Sequence, residues 1–249
     1  MAHQISAAWF DLEVCPVSEI SVVTFDGDET LWRFQAAMRQ ALEVAAQCFA
    51  AEDLSRAGAP VTASWLATVR EDVASRPEFS GASMEAIRWA AFEEVSAEVG
   101  AEKQFTKRVF GAYMDTRHSA VTLYDDAMAC LHLLSSRGLR LGLITNGNSR
   151  PDLLGVDKTF EAVVVAADCG FRKPDPAIYH HAAEQFGVSP AQCVHVGDHP
   201  VEDVKAATEA GMRAVWITRS SQTSEDTVSA WRTISRLEEL PPALLSQGP

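Results

Sequence analysis

Hydrophobic and polar positions fall into two regimes along the chain. From Ile20 to Phe25 the run Ile-Ser-Val-Val-Thr-Phe puts apolar side chains on both parities and is rich in β-branched and aromatic residues, which predicts a strand buried on both faces. The spacing then turns helical. Met38, Leu42, Ala45 and Phe49 recur at i, i+4, i+7 and i+11, an apolar stripe that Ala57-Gly58-Ala59-Pro60 breaks. Met84, Ile87, Ala91 and Val95 form a second stripe stopped by Gly100, and another helix is predicted through Phe105, Val109 and Tyr113. No convincing strand interrupts this block, which runs from Trp32 to Ser119.

From Asp125 strands alternate with helices. A helix through Ala127, Leu131 and Leu134 ends at Arg137-Gly138, and strands are predicted over Leu139 to Thr145, Ala162 to Ala166, Cys193 to Val196 and Arg213 to Ile217. One intervening helix opens at Asp175-Pro176 and closes at Gly187; another closes at Gly211. Such alternation implies parallel strands with right-handed crossovers. The tract from Arg219 to Thr227 reads as a surface loop, and the segment from Thr233, with Ile234, Leu237, Leu240 and Leu244, as an edge strand or short helix docked on the core.

Ligands of parallel sheets bind where strands end, so the residues after each strand matter most. The first strand is followed by Asp26-Gly27-Asp28-Glu29-Thr30, two carboxylates around a glycine. The second closes with Thr145-Asn146-Gly147, suited to hydroxyl and backbone N–H contacts with an anion. The third leads to Lys173, held between Arg172 and Pro174, and the fourth to Gly197-Asp198-His199 with Asp203 beyond. If Asp26, Asp28, Asp198 and Asp203 share one edge with a single lysine, their repulsion demands a cation. Two like charges ~4 Å apart repel by about 4 kcal/mol at an effective dielectric of 20. Mg²⁺ suits a pocket of carboxylate and carbonyl oxygens that also accepts phosphate.

Composition narrows the partners. A net charge of −13 argues against nucleic acid and anionic membranes, and it means that a phosphate site needs a strong local cation. The five cysteines, Cys15, Cys48, Cys130, Cys169 and Cys193, contain no Cys-x-x-Cys pair and fit buried thiols in a reducing compartment. No stretch is long enough to span a membrane, and the short Ala7-Ala8-Trp9-Phe10 run lacks the basic flank of a signal peptide. The reading is cytoplasmic, as a monomer or homodimer. The histidines His118, His132, His180, His181 and His195 show no zinc-ligand spacing.

Four motifs in order, each after a strand, resemble those of the haloacid dehalogenase superfamily hydrolases of the phosphatase type, over about Ile20 to Leu240. The resemblance implies an α/β fold: a Rossmann-like, doubly wound parallel sheet carrying an inserted α-helical cap of the C1 type. The core would comprise residues 1–31 and 120–249, and the cap residues 32–119. Strand one would be central, with strand four beside it. By the same resemblance Asp26 is the nucleophile and Asp28 the general acid/base, whose backbone carbonyl also ligates the metal. Thr145 binds phosphate, with Asn146 and Gly147, and Lys173 steadies nucleophile and transferring oxygens. Asp198 completes the Mg²⁺ ligands, and Asp203 is a supporting carboxylate. Two positions depart from the family pattern. Gly27 replaces a larger apolar residue, which would loosen the first motif, and His199 follows Asp198 where smaller or acidic residues are common; it is read as a loop histidine.

The implied function is Mg²⁺-dependent hydrolysis of a small phosphorylated metabolite through an aspartyl-phosphate. Carbon–halogen hydrolysis or a phosphomutase on the same fold compete with it, as does a non-catalytic regulatory protein. Carbon–halogen chemistry needs neither a proton donor for the halide nor a metal, so Asp28 and Asp198 count against it. Trp32, Arg33, Phe34, Trp65, Arg88 and Trp89, at the cap entrance or on cap helices, are candidate substrate contacts, each more commonly a packing residue.

Overall fold

The computed structural model describes residues 20–147, 151–219 and 229–245. The Ala7–Phe10 run, Cys15 and the tract 220–227 lie outside the described residues. The order of elements is β1 (Val22–Phe25), α1 (Phe34–Ala51), β2 (Ser55–Arg56), β3 (Ala59–Pro60), α2 (Ala63–Ser75), α3 (Met84–Glu98), α4 (Lys103–Ser119), α5 (Ala127–Ser136) and β4 (Arg140–Thr145). There follow β5 (Ala162–Val165), α6 (Ala166–Cys169), α7 (Ala177–Phe186), β6 (Cys193–Gly197), α8 (Ala206–Glu209), β7 (Arg213–Ile217), β8 (Arg232–Ile234) and α9 (Leu240–Leu245).

Six strands form one sheet in the order β5-β4-β1-β6-β7-β8, with every neighbour parallel. The strand order reverses at β1, between β4 and β6, so β1 ends at the switch point where such sheets bind ligands. Side chains alternate across β1. Val23 and Phe25 join a core layer with Leu131 and Leu134 of α5, Leu143 of β4, and Leu237 and Leu240 near the C-terminus. Val22 faces the opposite layer, built from Ile178, Tyr179 and Ala182 of α7, Val204 and Ala206. The sheet is therefore covered on both sides, which explains the near-continuous apolar runs of its strands.

The helical block has a core of its own, with Phe49, Leu66, Val73, Ile87, Val95, Phe105, Val109 and Tyr113 among its buried members. Three details differ from the sequence reading. The buried stripe of α1 is Ala37, Ala41, Ala45 and Phe49, one residue off the expected register at its start, with Met38 and Leu42 half-buried. The small side chains let α1 lie close along α4. The break at Ala57-Gly58 is the turn of a short antiparallel ribbon, β2 with β3, and both residues take positive φ. Helix α2 was not anticipated. It starts at Thr62, whose hydroxyl accepts from the backbone N–H of Trp65 at 3.1 Å, and buries Leu66, Val69 and Val73. Among the described residues no helix is long and apolar enough to cross a membrane.

Candidate active site

The site begins where β1 stops. The Asp26 N–H donates to the carbonyl of Val196 at 2.8 Å, carrying the β1–β6 pairing one residue past the strand and fixing the first carboxylate at the sheet edge. The chain then curls back, the Gly27 carbonyl accepting from Leu31 N–H at 2.9 Å and Trp32 N–H at 3.1 Å. This curl folds the Trp32 indole onto Gly27. A Cβ at position 27 would lie 2.1 Å from Trp32 Cζ2, so the space that a side chain here would need is filled by this ring. The indole Nε1 in turn donates to Asp28 Oδ1 at 2.7 Å.

Lys173 reaches the same edge from the segment after β5. Its ammonium donates to Asp26 Oδ1 at 2.5 Å and to Asp203 Oδ1 at 2.7 Å, and all three side chains are buried. Asp203 is oriented from every side. Its Oδ1 faces His195 Nε2 at 3.2 Å, and its Oδ2 accepts from the His199 N–H at 3.0 Å. His195 Nδ1 lies 3.0 Å from the Thr24 hydroxyl, directly across the β1–β6 register. Because a carboxylate only accepts, the neutral tautomer with Nε2–H fits this chain, with Thr24 donating to Nδ1. Asp203 itself comes from the irregular helical turn Pro200–Lys205, and its carboxylate presses on Gly197, where a Cβ would fall 2.2 Å from Asp203 Cγ.

The electrostatics follow from burial. Burial pushes the Asp26 carboxyl well above the ordinary range; Lys173 opposes this, while Asp203, Asp28 and Asp198 add to it. Burial, then the Asp203 charge, pushes Asp198 up to about 7. Asp203 goes the other way: burial alone would raise it, yet Lys173 and His195 hold it well below the usual carboxylate range. Burial likewise works against charge on Lys173, but Asp203 and Asp26 outweigh it and keep the ammonium protonated. Burial holds His195 below its ordinary value, despite Asp203, so the ring is neutral. Carboxylate oxygens of Asp26, Asp198 and Asp203 all lie within 4.8 Å of one another. Three acidic groups against one lysine, two of them resisting ionisation, form an oxygen-rich donor set short of positive charge. That fits a hard divalent cation.

Each residue expected at the site reaches this edge, though some do more than expected. Thr145 ends β4 buried, its Oγ1 accepting from Gly147 N–H at 3.0 Å, which leaves its own proton available. The Asn146 amide clasps the lysine segment: Nδ2 donates to the Lys173 carbonyl at 2.9 Å and Oδ1 accepts from the Lys173 N–H at 2.8 Å. A second bond from Nδ2 reaches Glu202 Oε2 at 3.0 Å, so the Asn146 side chain positions Lys173 and Glu202. His199 opens the turn that carries Asp203, its Nδ1 accepting from the N–H groups of Val201 and Glu202 at 3.2 and 3.1 Å. The Asp198 carbonyl accepts from Trp216 Nε1 at 2.9 Å. Thr24 and His195 were missed as parts of the site; the signal was a threonine and a histidine at matching depths of adjacent strands.

Of the proposed substrate contacts, Trp32 is buried beneath Asp28 and Arg33 stacks on Tyr124 while donating to the Leu123 carbonyl. Phe34 lies under the Arg117 guanidinium, Trp65 under that of Arg56, and Trp89 packs edge-on against Phe110. Arg88 differs. It is buried and lines a cavity of about 440 Å³ between the first turns of α3 and the core segments that carry Asn146, Gly147 and Arg172.

A family model described as haloacid dehalogenase-like hydrolase matches residues 20–211. The chain is 33% identical over 161 residues to a phosphoserine phosphatase of Thermus thermophilus, covering 62% of this chain and 64% of that one. It is also 33% identical over 135 residues to a glyceraldehyde 3-phosphate phosphatase of Methanopyrus kandleri, covering 51% and 58%. The matched part thus spans less than two thirds of either relative. Among solved structures, a 2-haloacid dehalogenase from Pseudomonas syringae pv. Tomato DC3000 superposes with a TM-score of 0.73 at 30% identity, covering 92% of this chain and 99% of that one.

Proposed function

The chain belongs to the haloacid dehalogenase-like hydrolases, and on that footing we propose that it is a Mg²⁺-dependent phosphatase of small phosphomonoesters that works through an aspartyl-phosphate. The observation that carries the reading is the buried Asp26–Lys173 pair, 2.5 Å apart at the switch point of the sheet, with Asp28 two residues on.

In this reading the Asp26 carboxylate attacks phosphorus, and the ester oxygen leaves as Asp28 delivers a proton to it. Asp28 then takes a proton from water, which attacks phosphorus and returns Asp26 as the free carboxylate with release of inorganic phosphate. Lys173 neutralises Asp26 and the transferring oxygens from a fixed position, and Asp203, set by His195 and the His199 N–H, keeps the ammonium aimed. The Thr145 hydroxyl donates to a phosphoryl oxygen, with the backbone of Asn146 and Gly147 beside it. Asp26, the Asp28 carbonyl and Asp198 would hold Mg²⁺, which offsets the negative charge of the carboxylates and phosphoryl group. Residues 32–119 act as a cap that excludes water and selects substrate, over a core of residues 1–31 and 120–249.

Both phosphatase relatives agree with this reading. The similarity to a 2-haloacid dehalogenase favours the alternative of carbon–halogen hydrolysis by the same aspartate. That alternative gives no work to Asp28 or to the charge-deficient Asp198 cluster. Purified protein assayed on nitrophenyl phosphate and on a 2-chloroalkanoate separates the two. Phosphate release that stops with chelator and returns with Mg²⁺ is expected; halide release in chelator without phosphatase activity would reverse the assignment.

A further inference from the structure

Arg88 and Arg117 are two buried guanidinium groups without an ion-pair partner among the described residues. Arg88 is only 6% exposed and its Nη1 has no hydrogen-bond partner; Arg117 is 2% exposed and its Nε has none. Arg117 Nη1 meets His118 Nε2 at 3.2 Å and its guanidinium lies 4.6 Å from the centre of the Phe34 ring, neither of which supplies negative charge. Among the described residues no carboxylate forms a salt bridge with either arginine. Taking charge out of water without a counter-ion is costly, and here two like charges share the cost. Burial depresses both groups below the ordinary arginine range, and the Arg88 charge depresses Arg117 further. Arg88 faces the core segments that carry Asn146 and Gly147 across the cavity, and Arg117 lies over Phe34 in the first turn of α1.

Arg88 lines the cavity of about 440 Å³ whose opposite wall includes Asn146 and Gly147, the residues after the phosphate-binding Thr145. A cavity of this size suits a small metabolite. Resting on the phosphatase reading above, we propose that Arg88 docks a carboxylate of the substrate, so that the enzyme acts on small phosphorylated carboxylic acids. A guanidinium presents a planar fork that matches a carboxylate. The cavity wall carries Glu85 and Arg172, whose charges offset, so Arg88 is left with a single charge to match, as a carboxylate does. The phosphate sits between Thr145 and Lys173 while the acid end reaches up to α3, which makes substrate length a condition of fit.

The test uses full-length protein with Mg²⁺ and pairs of esters that differ only by the acid: phosphooxy-alkanoates of two to five carbons against alkyl phosphates of equal length, and O-phosphoserine against phosphoethanolamine. One charged hydrogen-bonded contact corresponds to about 10- to 100-fold in kcat/KM. A preference of that size is expected for at least one acid, falling to within roughly threefold in Arg88→Gln and staying intermediate in Arg88→Lys. The wild-type ratio alone decides the matter if the variants do not fold. Ratios near one for every pair, or a ratio unchanged in Arg88→Gln, would overturn the proposal. So would a greater preference for ethylene glycol bisphosphate than for any acid, since the anion would then be a second phosphate. Nitrophenyl phosphate separates the two levels of the account: hydrolysis of it with flat ratios removes the carboxylate site alone, whereas failure on every phosphomonoester removes the phosphatase reading and this inference together.

Discussion

The Trp32 indole both donates to Asp28 Oδ1 at 2.7 Å and fills the volume that a side chain at Gly27 would need, a Cβ there falling 2.1 Å from Cζ2. One ring therefore sets the shape of the turn at Gly27 and the position of Asp28, the acid in the proposed reaction. Trp32→Phe keeps an aromatic ring but removes the donor. Turnover of an alkyl phosphate is expected to fall about tenfold, in line with one hydrogen bond to a charged group. Nitrophenyl phosphate should be less affected, since its leaving group departs without a proton. An equal loss on both esters would show that Trp32 serves folding rather than Asp28.

Gly27→Ala tests the packing half of the same relationship. Overfilling a closed site costs about 1–3 kcal/mol, read as a shift in the urea midpoint. The atoms that clash belong to the outer ring of the indole, which phenylalanine lacks. The double variant with Trp32→Phe should therefore be more stable than the sum of the single effects, with a coupling of about 1 kcal/mol or more. Simple additivity would contradict the contact.

Lys173→Met leaves Asp26 and Asp203 buried without their cation. Breaking a buried pair from one side costs about 3–5 kcal/mol, and activity should be lost with it. Chemical denaturation in chelator measures the first effect, and a loss under about 1 kcal/mol would mean that the carboxylates are far better solvated than their burial implies.

The acidic cluster also sets a pH dependence. Asp198, pushed up to about 7 in the folded protein by burial and by Asp203, ionises near its ordinary carboxylate value when unfolded. Its contribution to stability is therefore complete below the unfolded value and disappears as pH rises through about 7. Asp26 acts in the same sense. Asp203 is depressed, so its contribution is lost only in acid, and neutral His195 costs stability only below its ordinary range. In chelator, stability should fall by on the order of 1 kcal/mol between about pH 6.5 and 8.5, and Mg²⁺ should stabilise more at the higher pH. Thermal denaturation with and without Mg²⁺ checks both; a metal-independent profile would remove the cation from this cluster.

The alternating strands and helices and the carboxylates at the end of β1 were legible because apolar runs ending in charge are rare in cores, whereas the place of β1 inside the sheet came from the family resemblance alone. The C-terminal segment from Thr233 docks as expected, as β8 and α9. Helix α2 was overlooked although Leu66, Val69 and Val73 keep helical spacing; the Ala-Gly-Ala-Pro break drew the boundary too early. The Thr24–His195–Asp203 chain could not be read, since it depends on which strand lies beside β1 and at what register. Arg88 was visible as a residue, but its unsatisfied charge exists only after α3 and α4 pack.

The central claim is the division of labour between Asp26 and Asp28, and Asp28→Asn tests it most directly. Without its base the variant should still be phosphorylated by nitrophenyl phosphate but clear the adduct slowly, because general base catalysis is typically worth ~10²–10⁴ in rate. Rapid mixing with nitrophenyl phosphate, followed by mass spectrometry of the quenched protein, should show a burst of nitrophenolate near one equivalent and an added phosphoryl group on Asp26. Asp26→Asn should give neither. Steady wild-type turnover by Asp28→Asn, or a phosphoryl group on any other residue, would contradict the account.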